Sequence, residues 1–506
     1  MPVDEIRRSA ACTVDGLFDA QARLGPDRIA AAERERSLSY GALAARAPPR
    51  APALHACGVR RGARVAVLSE NRLEYLETFL AAARLGAIVA CQNWRLAAPE
   101  LKHCLDLVEP TALIVSPRHA DRVRGWPAPL ILGADYERAL EAAAPDLPEQ
   151  AVGPEDGLVI LYTSGTTGLP KGALISHRAE IVRNLVTRAE FGVAADDAFV
   201  AWSPFYHMGA VDNALGTLMA GGKVIVVDGF DPCRLAEIVA TERLGWLLLM
   251  PGMVGAFAAV LRARGVVPAG VRLCGVMADL VPPHEIAEVT RLLRAPYANT
   301  FGSTETGCPP CSSNLIPAGE APARLSKRQS PFCEVRLVDE EDRDVPDGTP
   351  GELLMRGPTL FSGYWRAPEA NARDFRGGWF HMGDVFVRNP DGTLDFVDRV
   401  KYLIKSGGEN IYPAEIERVM LQDPRVADVA VVRRRDARWG EVPVAFVARR
   451  DESLGEADLL RLCRDRLAGY KQPKAILFIP LEAFPRSASG KIQRHELERR
   501  LDEATE

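Results

Sequence analysis

No long basic stripe runs through this 506-residue chain, and Lys plus Arg, 62, against Asp plus Glu, 67, leaves a net charge of −5. A nucleic-acid backbone needs a concentrated cationic face, so nucleic acid is excluded as an expected partner. Arg433-Arg434-Arg435 is the single run of three arginines and reads as a solvated strand end. An apolar leader is missing too: Met1-Pro2-Val3-Asp4-Glu5-Ile6-Arg7-Arg8 is charged and leads into no signal-type segment, so a cytoplasmic protein is expected. One charge-free run, Leu244 to Leu261, is long enough to raise a membrane span, but Pro251-Gly252 splits it, which predicts strand, turn and helix and no integral membrane association. The ten cysteines are scattered, with one pair, Cys308 and Cys311, at Cys-x-x-Cys spacing. Zinc wants four ligands, and neither a second pair nor a His cluster supplies them, so reduced structural thiols are expected. No internal repeat is visible.

What is present is a globular composition, 47% hydrophobic and 25% charged, over a length that demands more than one domain. Short β-branched runs alternate with amphipathic stretches, as in Arg64 to Leu68 before Tyr75 to Leu85 and Lys223 to Val227 before Leu235 to Thr241, which is α/β organisation. Pro117 to Pro154 is proline-rich and aperiodic and reads as a surface connection. Between Val335 and Phe396, turn clusters such as Pro346-Asp347-Gly348 and Asn389-Pro390-Asp391-Gly392 predict antiparallel hairpins. Beyond Asp398 strand and helix return on a scale of about 100 residues, enough for a small domain.

The most informative segment is Tyr162-Thr-Ser-Gly-Thr-Thr-Gly-Leu-Pro-Lys-Gly172, directly after Leu158-Val159-Ile160-Leu161. Gly165, Gly168 and Gly172 let successive N–H groups converge on an anion, Thr163, Ser164, Thr166 and Thr167 add hydroxyls, and Lys171 adds charge. This composition holds phosphate. It is not a Walker A loop, because Lys171 is followed by Gly172 where the magnesium hydroxyl of that motif would stand.

With five further motifs in order, the chain resembles the adenylate-forming superfamily of acyl- and aryl-CoA synthetases, luciferases and peptide-synthetase adenylation domains. These are Phe301-Gly302-Ser303-Thr304-Glu305, Gly378-Trp-Phe-His-Met-Gly-Asp384, Asp398-Arg399-Val400-Lys401, Lys405-Ser-Gly-Gly-Glu-Asn-Ile-Tyr-Pro413 and Pro485-Arg-Ser-Ala-Ser-Gly-Lys-Ile492. The resemblance implies a large N-terminal domain, 1–398, of α/β subdomains with a small barrel-like β subdomain, and a smaller mobile α+β domain, 399–506, hinged at Asp398. It implies ATP and Mg²⁺ as cofactors and coenzyme A as co-substrate, with a small-molecule carboxylic acid as partner and a monomer or homodimer as assembly.

Residue by residue, the resemblance puts the Thr163 to Lys171 loop on the β- and γ-phosphates, Glu305 on Mg²⁺, Phe301 against adenine with Asn299 reading its amino group, and Gly302, Ser303 and Thr304 along the nucleotide. Asp384 takes the ribose hydroxyls, Arg399 the same ribose or the phosphate, and Lys491 bridges the carboxylate and α-phosphate. Thr163, Glu305, His207 and Lys491 are thereby the catalytic candidates. The acyl pocket is implied at His207, Met277, Ala278, Gly302, Thr306, Gly307 and Cys308, and CoA at Lys405, Ser406, Gly407, Gly408, Glu409, Trp439, Tyr470 and Lys471. Three departures stand out: Met382 where threonine is common, Ser326 to Ser330 where a glycine-containing turn is usual, and Tyr402 where an acidic residue is frequent. Cys274-Gly-Val-Met-Ala-Asp279 also departs from a Gly-Gly-Ala pattern, and bulk at Val276 or Met277 shortens the expected cavity.

The chemistry fits the parts. A carboxylate cannot condense with a thiol until its oxygen becomes a leaving group, and attack on the α-phosphate of ATP provides one. The expected activity is an ATP-dependent ligation of an aromatic, alicyclic or medium-chain acid to CoA. Transfer of the adenylate to a carrier-protein pantetheine, a luciferase-like oxygenation and a non-catalytic nucleotide-binding regulator are the alternatives.

Overall fold

The computed structural model describes residues 10–126, 129–133, 136–138, 151–164, 169–406, 409–486 and 492–503. A first sheet runs in the order Leu130–Ile131, Ala112–Val115, Arg64–Leu68, Ile88–Cys91, Gly157–Ser164, Pro170–Ser176. Its strands are parallel until the last pair, which is antiparallel. The run Val65-Ala66-Val67-Leu68 is apolar throughout because both of its faces are covered. Val65 and Val67 enter the core that holds Leu76 and Phe79, whereas Ala66 and Leu68 pack with Leu101 and Leu105. The alternating side chains thus join helix Leu73–Arg84 to one face and helix Ala98–Val108 to the other.

A second sheet runs Arg36–Ser39, Ile29–Glu33, Val224–Val226, Phe199–Ala201, and is carried on through a parallel bridge between Ala198 and Leu244. There follow Leu244–Leu247, Val271–Cys274 and Tyr297–Ala298, parallel to one another, and antiparallel Leu315–Ile316. The charge-free run is strand Leu244–Leu247, a turn at Pro251-Gly252 and helix Val254–Arg264, as its composition predicts. Among the described residues no helix is long and apolar enough to cross a membrane.

The hairpin-rich stretch forms one antiparallel sheet, Glu334–Val338, Gly351–Arg356, Phe380–Arg388, Leu394–Arg399. Met382, the threonine replacement, packs against both the main core and the core of this sheet, so its bulk has a place. Beyond it lies a sheet of Glu409–Ile411, Ile404–Ser406, Gly440–Arg449 and Val426–Asp436, with Ile476–Phe478 parallel to Gly440–Arg449. Along Val426–Asp436 alternation again makes two layers. Val429 and Val431 face Ile416 and Leu459, while Ala430 and Val432 face Leu497 and Leu501. Between the two sheets stands Asp398, buried, whose Oδ1 accepts from the Arg399 N–H and Oδ2 from the Ala414 N–H, both at 2.7 Å. One carboxylate near the end of the last strand of the hairpin sheet therefore accepts an N–H from the first turn of helix Pro413–Met420. Burial raises the pKa of Asp398, against the lowering by Arg494 and these two N–H groups.

Candidate active site

Parallel strands expose their loops at one edge, and in α/β sheets ligands bind outside the carboxyl ends. The second sheet delivers His207 after Phe199–Ala201, Met277 after Val271–Cys274 and Phe301 after Tyr297–Ala298. The first sheet delivers the phosphate loop after Gly157–Ser164. Thr163 and Lys171 are directly opposed across that hairpin, which fixes the two ends of the loop. Gly165, Thr166, Thr167 and Gly168, and the side chain of Ser164, lie outside the described residues.

Glu305 sits at the tip of the hairpin Phe301–Ser303 and Gly307–Cys311. The tip is set by its own hydroxyls: the Ser303 N–H donates to Thr306 Oγ1 at 2.9 Å, and the Glu305 N–H to Ser303 Oγ at 3.2 Å. Gly302 must be glycine, since a Cβ there would meet the Gly307 carbonyl oxygen at 1.9 Å. Arg183, buried, holds the tip from beneath by donating to the carbonyls of Thr304 at 3.0 Å and Thr359 at 2.9 Å. Glu305 Oε1 accepts from the Tyr364 hydroxyl at 2.9 Å, and the Lys171 ammonium lies 3.6 Å from the centre of that tyrosine ring. Burial first, then Glu305, raises the Tyr364 pKa, so the phenol stays a donor. Lys171 also pairs with Asp374 at 3.3 Å. Phosphate loop and acidic hairpin are thus joined through a residue that no motif marks.

Magnesium fits this arrangement. It favours one or two carboxylates plus phosphate oxygens over a protein cage, and among the described residues no cluster of three His, Cys, Asp or Glu could hold a metal ion. Glu305, on Tyr364, and Asp374, on Lys171, are the carboxylates at this junction.

The adenosine residues divide. Asp384 and Arg399 are cross-strand neighbours, 3.0 Å apart as an ion pair, and Asp384 is the first cause of the raised Arg399 pKa. Phe301 and Asn299 are both buried. The Phe301 ring is 3% exposed, stacked on Phe396 at 4.8 Å and edge-on to Phe386, within the core of the hairpin sheet. Asn299 is buried with both ends of its amide engaged: Oδ1 accepts from Lys327 Nζ at 2.6 Å, and Nδ2 donates to the Leu325 carbonyl at 3.0 Å. Lys327, from the departing 326–330 segment, is itself 0% exposed and pairs with Asp279 at 2.6 Å. One buried ion pair therefore links the two unusual segments, 274–279 and 326–330.

Around the expected acyl pocket, His207 is the N-cap of helix Met208–Ala220, its ring edge-on to Tyr206 at 4.6 Å. Met277 turns through φ 47°, a left-handed conformation costly for a branched-chain-free but Cβ-bearing residue, and precedes the short turn Ala278–Leu280. Tyr297 braces this segment by donating its hydroxyl to the Val276 carbonyl at 3.1 Å. Cys308 lies next to Thr187, and burial pushes its thiol up to about 12, so it is an inert wall. Cys311 faces the other core, which breaks up the Cys-x-x-Cys pair.

Beneath Gly307 lies a cluster no motif announced: Glu180, Arg183 and Asp212, all buried, with Arg183 Nη1 3.3 Å from Asp212 Oδ2. A Cβ on Gly307 would come within 2.8 Å of Arg183. Burial raises both carboxyl pKa values, most for Glu180, which also feels Asp212. The folded protein then keeps a proton that the unfolded chain releases above the ordinary carboxyl range, so stability falls as pH rises there. Glu180→Gln should flatten that decline by up to about 1.4 kcal/mol per pH unit. Urea midpoints of both proteins between pH 5 and pH 8 check it, with parallel curves as the adverse result.

The coenzyme candidates cluster on the C-terminal sheet. Ser406 pairs with Glu409 and with Gly440, next to Trp439, and Gly469–Lys471 packs against Glu409–Ile411. Trp439 and Tyr470 are each 42% exposed on the two sides of the hairpin, whose tip, Gly407 and Gly408, is outside the described residues. Lys405 pairs with Glu340 at 3.1 Å, and Lys471 is held by both oxygens of Glu415. Lys491 also lies outside the described residues.

Residues 18–365 match the AMP-binding enzyme family and residues 415–491 the AMP-binding enzyme C-terminal domain. The chain belongs to the AMP-binding, adenylate-forming enzymes. Its similarities lie in their acyl- and aryl-CoA synthetase branch. It is 37% identical to an indoleacetate–CoA ligase of Aromatoleum aromaticum, over 95% of this chain and 96% of that protein. It is also 37% identical to a feruloyl-CoA synthase of an Amycolatopsis species, over 95% and 97%. The structure of ATP-bound MatB from Rhodopseudomonas palustris superimposes with a TM-score of 0.83 at 28% identity, covering 98% of this chain and 100% of that one. The enzyme class is AMP-forming acid–thiol ligase, with ATP, Mg²⁺, CoA and a small-molecule acid as its reactants.

Proposed function

We propose that this ligase takes a carboxylic acid carried on an aromatic ring and makes its CoA thioester in two half-reactions. The observation that carries the site assignment is the junction of Lys171, Tyr364 and Glu305, which brings phosphate loop and acidic hairpin within contact of one tyrosine. Both relatives named above act, by their names, on acids with an aromatic ring. The bulkier Val276 and Met277, braced by Tyr297, suit a flat ring better than a long flexible chain.

In the first half-reaction a carboxylate oxygen attacks the α-phosphorus in line with departing pyrophosphate, so a new P–O bond replaces the bond to the β-phosphate. Catalysis there is mostly positioning and charge neutralisation. Thr163 and the loop after it hold the β- and γ-phosphates, Lys171 counters their charge, and Asp384 with Arg399 fixes the ribose. Glu305 would hold magnesium, which when bound would supply charge screening of the phosphate oxygens. Lys491 bridges the reacting carboxylate and the α-phosphate. In the second half-reaction the thiol sulfur of CoA attacks the acyl carbon, AMP leaves with the electron pair of the broken C–O bond, and the thiol proton passes to solvent. The small domain, 399–506, turns about Asp398 between the two, bringing Gly407-Gly408 with Trp439 and Tyr470 to the pantetheine. Free CoA is the acceptor, and the cysteines, all free, suit the reducing cytoplasm.

A panel of arylacetates, arylacrylates, benzoates and medium-chain alkanoates, scored by pyrophosphate release and by thioester formation with CoA alone, tests this. Preference for alkanoates, or adenylate that CoA does not discharge, rejects it. His207→Ala should reorder the aromatic acids by about 10-fold or more in kcat/KM, the scale of lost contacts in an apolar pocket, and leave ATP affinity within about 2-fold. Collapse of ATP affinity with an unchanged acid ranking removes His207 from the pocket.

A further inference from the structure

Tyr364 lies in Gly363-Tyr364-Trp365, a stretch without periodicity and without a role in the motifs. Its backbone is nonetheless stitched on both sides. The Phe361 N–H donates to the Glu305 carbonyl at 2.9 Å, the Leu174 N–H to the Gly363 carbonyl at 3.0 Å, and the Trp365 N–H to the Gly172 carbonyl at 2.8 Å. The segment therefore runs along the strand Pro170–Ser176 that returns from the phosphate loop, with Ala173 and Tyr364 as an antiparallel bridge. Asn371 clamps the same residue, accepting from the Tyr364 N–H at 2.7 Å and donating to its carbonyl at 2.9 Å. Phe361 packs edge-on to the ring at 4.9 Å. A side chain 7% exposed and held this way has one direction to point. Its hydroxyl goes to Glu305 Oε1 at 2.9 Å, and its ring carries the Lys171 ammonium at 3.6 Å.

We propose that Tyr364 is a positioning residue that couples the metal carboxylate to the phosphate-loop lysine: its hydroxyl occupies Oε1 of Glu305 so that Oε2 is left for the cation, and its ring holds Lys171 beside the same phosphates. The proposal rests on the roles given above to Glu305 and Lys171. A carboxylate with one oxygen fixed is pre-oriented, and a desolvated cation over an aromatic face is held without losing its charge. Lys171 also meets Asp374 at 3.3 Å, at the end of the short helix that carries Asn371. Binding of the triphosphate replaces Asp374 with phosphate oxygens, while the ring stays beneath the ammonium.

The test separates hydroxyl from ring. Tyr364→Phe removes the bond to Glu305 and keeps the aromatic face, and Tyr364→Leu removes both. ATP affinity is measured by calorimetry in EDTA and again in saturating Mg²⁺, beside the Mg²⁺ concentration for half-maximal pyrophosphate exchange, with melting curves as the fold control. Tyr364→Phe should bind ATP in EDTA like the parent, lose roughly 10-fold of the gain that Mg²⁺ confers, the worth of one hydrogen bond to a charged group, and need more Mg²⁺ to the same extent. Tyr364→Leu should in addition weaken ATP in EDTA. KM for the acid should not move in either. If Tyr364→Phe keeps the whole Mg²⁺ gain, or loses affinity equally with and without Mg²⁺, the coupling is wrong. Glu305→Gln separates the two levels: if it too leaves Mg²⁺ dependence untouched, the reading of Glu305 fails, and if it alone shifts that dependence, only the part given to Tyr364 fails.

Discussion

Lys491→Ala should abolish formation of acyl-adenylate from acid and ATP, yet leave the attack of CoA on chemically supplied acyl-AMP at near the parent rate. An ammonium on a flexible stem can follow charge as it passes from carboxylate to phosphate oxygen, which a rigid guanidinium cannot do. Once the adenylate exists, that task is over. Lys491 is 328 positions beyond Thr163 (491 − 163) and on the far side of Asp398, and in the proposed turn about Asp398 the small domain presents it and then withdraws it. Gly408→Leu should do the reverse, because a side chain on the hairpin between Ser406 and Glu409 obstructs the pantetheine path and leaves Lys491 untouched. Pyrophosphate exchange reads the first half-reaction and thioester release from synthetic adenylate reads the second. Equal slowing of both half-reactions by both folded variants would mean a single fixed geometry, and the turn about Asp398 would have to be given up.

The strand Gly157–Ser164 was legible because its signal is local: an apolar β-branched run followed by glycines and hydroxyls leaves few alternatives to a strand and a turn. The α/β layering was legible for the same reason, since Val65 to Leu68 needs a cover on each face and the amphipathic stretches that follow supply it. Direction was not legible. A motif gives Phe301 and Asn299 a place in the chain but not the side to which they point, and here Phe301 turns toward Phe396 and Asn299 toward Lys327. Lys327 reads as a solvated loop residue, because the groups that make its burial tolerable, Asp279 and Asn299, are 48 and 28 positions away (327 − 279 and 327 − 299). A buried ion pair of this kind costs desolvation that only close geometry offsets, so nothing in local composition announces it. Tyr364 was silent for a related reason. Its partners, Lys171 and Glu305, come from two different sheets, and only the chain's return along Pro170–Ser176 brings them to one ring.

Glu305→Gln should slow magnesium-dependent adenylation by about two to three orders of magnitude, the loss typical when one preorganised electrostatic group is taken from a transition state. The fold should survive, because the amide oxygen can still accept from Tyr364 and the backbone bonds of Ser303 and Thr306 that shape the tip do not involve the carboxylate. What goes is the negative charge that holds the cation against the phosphates. The deficit should therefore shrink as Mg²⁺ is raised, with little change in KM for the acid. Discharge of supplied acyl-AMP by CoA should be spared, since pyrophosphate, whose charge the cation balances, has already left. A magnesium titration of pyrophosphate exchange, run beside thioester release from synthetic adenylate, reads both effects. Normal exchange across that titration would remove Glu305 as the ligand, and equal loss in both half-reactions would make it a structural residue of the hairpin, acting through Tyr364 rather than through the metal.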